Sequence, residues 1–384
     1  MRRFFTVICA AAAILSSAAC SKFSEAENVT QVSEGKLVPV TLSVELPSVS
    51  VETRDLTSYN DMLDYEKAIS SIQYLVYASG TGITETPWFY YKTTSLTDNP
   101  TFTGRDDKAY SAYVFVNIKE DLSSLQWTEA PNYCYTLTGD EKNTGFPMYG
   151  VRTPINKGSG SFPTDVSIVL YQLMSRVAVS YIKNNLPAIL GDIKIKGAYI
   201  MTVPSKINYS GSDSSSSNYT DAISGIDYYN CAGRSAKRSE ISSFSSTDEN
   251  YKHIIDGSTY LPQLPHLTYQ ALDITIKNGE THSFESPILL YTTPCYGGTS
   301  PSNYPSLVLI AELNGETMYY RVPISSKQIG YKSSINIASG KSFTYGITLG
   351  NFGSSDPMEA APSLTTTSLT YSFADWSGGT YEAS

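Results

Sequence analysis

The stretch Leu37-Val38-Pro39-Val40-Thr41-Leu42-Ser43-Val44-Glu45-Leu46 sets Val38, Val40, Leu42, Val44 and Leu46 in alternation with Pro39, Thr41, Ser43 and Glu45. A repeat of two residues matches the pleat of a strand, whose successive side chains leave opposite faces, and does not match the 3.6-residue repeat of a helix. A strand with one buried face is therefore predicted, ended by Pro47. The same repeat returns near the other end, at Phe343, Tyr345, Ile347 and Leu349. It returns once more where Leu369, Tyr371 and Phe373 alternate with Ser368, Thr370, Ser372 and Ala374, with Trp376 just beyond. The ordered body of the chain reads as all-β.

Between these segments, further strands are predicted at residues 72–77, 110–118, 133–137, 166–171, 177–182 and 193–203, and a short helical stretch at 59–68. Residues 110–118 are nearly all apolar or aromatic, which suits a strand buried on both faces. Asn278-Gly279 and Asn314-Gly315 each separate strand-like runs, and this dipeptide adopts positive φ at both turn positions, so two hairpins are predicted. Residues 210–218 and 235–250 are too rich in Ser for a core and read as surface loops, as does 294–305. The 384-residue length suits two domains. They are assigned to 37–175 and 176–350, followed by a linker and last strand over 351–384 that can reach away from the body.

The N-terminus carries Arg2 and Arg3, an apolar run over 4–15, and Ser16-Ser17-Ala18-Ala19 before Cys20. The apolar part is too short to span a bilayer, and residues 1–19 read as a secretory signal. Cys20 after small residues resembles a bacterial lipobox, although Ser17 stands where leucine is usual. Cys20 is expected to carry lipid, with 20–36 as a polar tether; ordinary secretory cleavage is the other reading.

With 27 basic against 36 acidic residues the chain is no partner for nucleic acid. Beyond Cys9 and Cys20 only Cys134, Cys231 and Cys295 remain, too few for a disulfide scaffold: three thiols are expected, with one bridge, such as Cys231 to Cys295, as the other reading. His253, His266 and His282 have no second ligand at metal spacing. Gly340-Lys341-Ser342 lacks the glycines of a phosphate loop and reads as a hairpin turn. There is no nucleophile elbow and no zinc helix motif. No enzyme, cofactor or metal site is expected.

Several segments in order resemble the fimbrillin family, the type V pilins of Bacteroidota: the opening strand before Arg54, Glu66-Lys67-Ala68-Ile69, Phe146-Pro147-Met148-Tyr149-Gly150, Leu173-Met174-Ser175-Arg176-Val177-Ala178-Val179, and Tyr345-Gly346-Ile347-Thr348-Leu349-Gly350 through Asp356-Pro357 to Trp376. The resemblance implies two β-sandwich domains of transthyretin-like topology and a lipoprotein precursor at the outer membrane. It also implies an Arg-specific protease acting between Arg54 and Asp55. Loss of the first strand, with Val38, Val40, Leu42, Val44 and Leu46, would then open a groove for a strand from the next subunit. The donor would be the tail, through Leu369, Tyr371, Phe373 and Trp376; the competing reading folds that tail back as an edge strand of its own domain. The partners implied are copies of this chain or other pilin subunits, with a host protein or glycan as adhesion ligand. Two other readings are a glycan-binding surface lipoprotein presenting Trp88, Tyr90 and Tyr91, and a non-polymerising tip adhesin. Arg176, inside a strand motif, is expected to be structural.

Overall fold

A computed structural model describes residues 35–46, 63–79, 85–137, 140–201, 203–204, 206–208, 227–229, 235–237, 269–296, 305–324, 336–337, 340–355, 369–375 and 379–382. The signal, Cys20, Arg54, Asp55, Trp376, Cys231 and residues 210–218 lie outside the described residues.

The first half contains β1 (Leu37–Glu45), β2 (Ile72–Ser79), β3 (Phe89–Thr93), β4 (Thr101–Arg105), β5 (Ala109–Val116), β6 (Cys134–Thr136), β7 (Met148–Ile155), β8 (Asp165–Val169) and β9 (Tyr171–Gln172). Two single-turn helices accompany them, α1 (Asp64–Lys67) and α2 (Glu141–Thr144). A five-stranded sheet in the order β3-β2-β5-β7-β9 and a three-stranded sheet in the order β4-β1-β8 share one apolar core. Val40 and Leu42 of β1 meet Ile72, Tyr74, Val76, Phe102, Val114 and Ile168 there. The long apolar run of β5 has the predicted cause: Ala112, Val114 and Val116 enter this core, while Tyr113 and Phe115 enter a second and larger one on the other face.

The second half runs through β10 (Ser175–Asn184), β11 (Ile193–Met201), β12 (Val203–Pro204), β13 (Lys206–Asn208), β14 (Asp227–Tyr229), β15 (Ser235–Lys237), β16 (Tyr269–Ile276) and β17 (Thr281–Thr292). It continues with β18 (Cys295–Tyr296), β19 (Ser306–Leu313), β20 (Glu316–Pro323), β21 (Asn336–Ile337), β22 (Lys341–Leu349), β23 (Leu369–Asp375) and β24 (Gly379–Glu382). Sheets in the orders β17-β10-β22-β23-β24 and β16-β11-β19-β20 contribute Val177, Val179, Ile195, Leu309, Phe343 and Ile347 to the larger core. The alternation read at Phe343, Tyr345, Ile347 and Leu349 is the buried face of β22.

Three expectations are corrected and one hairpin is borne out. Residues 166–171 are not one strand: the amide of Leu170 donates to the Glu45 carbonyl at 2.8 Å, ending the pairing with β1, and Tyr171 and Gln172 then pair with β7 of the other sheet. Asn314-Gly315 makes a true hairpin, with φ of 53° and 83° and Leu313 opposite Glu316. Asn278-Gly279 does not, because β16 pairs with β11 and β17 with β10, so the turn is a corner between sheets. The turn closes with a bond from the Glu280 amide to the Lys277 carbonyl at 3.0 Å and is held from outside by Asn278 Nδ2 donating to the Leu186 carbonyl at 2.8 Å and Gly279 N donating to the Asn184 carbonyl, at the end of β10, at 2.8 Å. Gly340-Lys341-Ser342 leads into β22 rather than closing a hairpin, since β21 before it pairs with β18. Of the helical stretch at 59–68, residues 63–68 are described, and Asp64–Lys67 form the single turn of α1.

Candidate functional site

β1 is the central strand of its sheet, yet each side of it is paired over only half its length. Leu37 to Thr41 run antiparallel to Arg105 to Thr101 of β4, and Thr41 to Glu45 run parallel to Asp165 to Val169 of β8. The amide of Leu42 donates to the Pro100 carbonyl at 2.8 Å and that of Thr41 to the Thr164 carbonyl at 2.8 Å, so successive residues address opposite neighbours. Pro39, which has no N–H to offer, sits before the pairing with β8 begins. A cavity of about 610 Å³ opens there, lined by Lys36, Val38, Phe162 and Asp165 among others. Of the five apolar residues read on this strand, Val40 and Leu42 are 0% exposed, while Val38, Val44 and Leu46 are half-buried at the rim of the core. Withdrawing β1 would bare the facing edges of β4 and β8 and the apolar floor between them.

The tail is a strand, as its alternation predicts. β23 lies antiparallel to β22, from Lys341 opposite Asp375 to Ile347 opposite Leu369, and β24 pairs with β23 in turn. In the single chain the backbone of the tail thus occupies the edge of its own sheet. The chain reaches it by a detour: beyond β22, Ser354 and Tyr319 of β20 exchange backbone hydrogen bonds of 2.7 and 2.9 Å before the linker begins.

Three of the quoted segments converge on one buried point that no local pattern announced. Glu66 of α1 is 0% exposed. Its Oε1 accepts from the Tyr291 hydroxyl at 2.6 Å, and its Oε2 accepts from the Leu63 amide at 2.7 Å and from a guanidinium nitrogen of Arg176 at 3.3 Å. Arg176 Nε donates to Ser342 Oγ of β22 at 3.1 Å, and Gln172 Nε2 to the Glu66 carbonyl at 3.3 Å. The Tyr65 and Tyr291 hydroxyls are 2.7 Å apart, Phe146 packs edge-on to Tyr291 with centroids 4.6 Å apart, and Lys142 Nζ lies 5.4 Å from the Tyr291 ring centre. Burial, with the nearby Glu66 charge, pushes the Tyr291 phenol well above its usual range, and burial lowers the Lys142 ammonium. The Tyr291 phenol therefore stays protonated at neutral pH. Arg176 is structural, as read; Tyr65, Lys142 and Tyr291 had no signal in the sequence, because their partners are remote along the chain.

Among the described residues every arginine lies within a strand: Arg105 in β4, Arg152 in β7, Arg176 in β10 and Arg321 in β20. Arg105 is held by two hydrogen bonds to Asp107, of 3.0 and 2.9 Å. The three aromatics considered for glycan binding divide. Trp88 is 51% exposed and its indole N–H donates to the Thr103 carbonyl at 3.3 Å. Tyr91 is exposed at the edge of its sheet, whereas Tyr90 is half-buried and donates to Gln73. Cys134 is exposed, with Sγ 3.5 Å from the Asn132 carbonyl. No helix among the described residues is long and apolar enough to cross a membrane.

No protein-family model and no curated protein matches the chain. Solved structures do. It is similar to a fimbrilin, FimA, of Porphyromonas gingivalis W83, at 11% identity and a TM-score of 0.53 over 89% of this chain and 98% of that one. A provisionally assigned cell adhesion protein of Bacteroides eggerthii DSM 20697 matches at 14% identity and a TM-score of 0.52, over 89% and 96%. Another, of Parabacteroides distasonis ATCC 8503, matches at 14% and 0.53, over 89% and 98%. The chain shares their all-β fold, and its β-sandwich architecture is the one expected from sequence.

Proposed function

We propose that this chain is a fimbrillin-type structural subunit of cell-surface fimbriae, polymerised by strand exchange and serving adhesion. The observation that carries the reading is the position of β1: a central strand early in the described residues, with Val40 and Leu42 buried and the two neighbouring strands each paired to half of it. Removal of such a strand leaves a complete sandwich half with two open edges, a template for a strand from another chain. Residues 47–62, which join β1 to α1, contain Arg54, and the arginines of the described part are all locked in strands. In this reading an Arg-specific protease cleaves between Arg54 and Asp55, in the connection that follows β1.

The donor in this reading is the tail, Leu369 to Trp376, leaving the edge of β22 for the groove of the next subunit. Each large apolar side chain buried there contributes roughly 1.5–3 kcal/mol before the entropy of ordering is subtracted. Cys20 carries the lipid that holds the precursor at the outer membrane until maturation. Partners are further copies of this chain or other pilin subunits.

The test is the purified precursor treated with an Arg-specific protease. The mature chain should begin at Asp55 by N-terminal sequencing and form detergent-resistant ladders. Deleting residues 363–384 should leave a folded monomer that forms none. A mature chain beginning elsewhere refutes Arg54 as the site. Ladders from the truncated chain, or its failure to fold, refute the tail as donor.

A further inference from the structure

α1 has four residues, fewer than a helix needs to persist by its own hydrogen bonds. It comes directly after residues 47–62, and Leu63 is the first described residue beyond them. A cut at Arg54 would turn this helix from an internal element into one near a chain end, where segments fray unless something ties them down. What ties α1 down is the Glu66 carboxylate. It caps the helix by accepting from the Leu63 amide at 2.7 Å, and it is itself gripped by Tyr291 of β17 at 2.6 Å and Arg176 of β10 at 3.3 Å. The next residues are held in the same manner: Asn117 Nδ2 donates to the Ala68 carbonyl at 2.8 Å, and the Ser70 amide donates to Asn117 Oδ1 at 2.7 Å. None of these groups belongs to β1, to its neighbour β4 or to its neighbour β8.

We propose that Glu66, with Arg176 and Tyr291, is the anchor of the mature N-terminus: the fixed point that stops disorder from spreading into α1 and β2 when the upstream segment is cut away. The proposal rests on the reading that the chain is cut within 47–62. A carboxylate serves here because it bonds the helix amide with one oxygen and the remote sheet with both, and hydrogen bonds to a charged group are stronger than neutral ones. The pair with Arg176 is buried, so removing one partner alone would strand a charge and disturb folding by itself. Removing both charges together tests the anchor without that artefact.

The experiment is amide hydrogen exchange of the full chain, intact and after cutting at Arg54, or at a second arginine placed beside it. The chains compared are the natural one, Tyr291→Phe and the double variant Glu66→Gln with Arg176→Met. In the natural chain, peptides covering residues 63–70 should exchange within about twofold of the same rate before and after the cut. In the variants the cut should accelerate them by roughly ten- to hundredfold, the range that hydrogen bonds to charged groups span, while the intact chains change less. Natural-chain acceleration on cutting, or variant chains as insensitive to the cut as the natural one, overturns the proposal. If the double variant does not fold, Tyr291→Phe decides alone, since it removes one hydroxyl and little volume. The comparison needs the cut and not the departure of β1, so a strand that stays docked after cleavage speaks against the polymerisation reading and leaves the anchor to be judged by its own exchange rates.

Discussion

Leu42→Ala in the precursor should reveal β1 as a strand whose packing matters only before maturation. The side chain is fully buried among Val40, Tyr74, Val114 and their neighbours, while its amide is bound to the Pro100 carbonyl at 2.8 Å. Truncation keeps the backbone pairing and deletes apolar volume, so the loss combines a transfer component with a cavity component, about 2–5 kcal/mol in all. β1 is tied to each neighbour over only half its length, which lets the sheet partly close on the cavity and favours the lower part of that range, about 3 kcal/mol. Urea unfolding of the purified precursor reads this directly, as a lower midpoint at unchanged slope. Val44→Ala, at the half-buried rim, should cost distinctly less. Once cut and polymerised, the Leu42→Ala chain should match the natural one, because the altered strand has gone. A loss below about 1 kcal/mol in the precursor would refute the packing argument. A deficit that persists in the polymer would refute the removal of β1.

Gly346→Ala should lower the melting temperature through overpacking by about 1–3 kcal/mol, because the new methyl would fall within the ring of Tyr181, which lies opposite in β10; differential scanning calorimetry measures it, and an unchanged melting temperature contradicts the contact. Burial pushes Tyr74, Tyr133 and Tyr320 up to about 12, first by loss of water around the phenolate. The folded pKa lies above the unfolded value near 10, so the associated stability is complete below pH 10 and is lost as pH rises from 10 through about 12. Titration at 295 nm should show these phenols ionising together with unfolding, and full ionisation near pH 10 in a folded chain would contradict their burial.

The local code was enough for the fold class and for the strands at each end of the chain. Alternation at Val40 and Leu42 or at Phe343 and Tyr345 is a property of neighbouring residues, and a half-buried pleat demands it wherever the strand sits. The nearly continuous apolar run of β5 likewise disclosed burial on both faces. Asn314-Gly315 could be read because a two-residue hairpin makes its demands on φ within the turn itself. Nothing so local distinguishes Asn278-Gly279, where the same dipeptide turns a corner because β10 and β11, distant partners, claim the two strands for different sheets. The break at Leu170 has the same origin, since Glu45 claims its amide while Met148 and Tyr149 of β7 pair with Gln172 and Tyr171. The split pairing of β1 depends on β4 and β8, and the site at Glu66 on Arg176 and Tyr291. A carboxylate in a sequence is by default solvated. Only tertiary packing, by removing water and bringing a guanidinium and a phenol to its two oxygens, decides that this one is a buried junction.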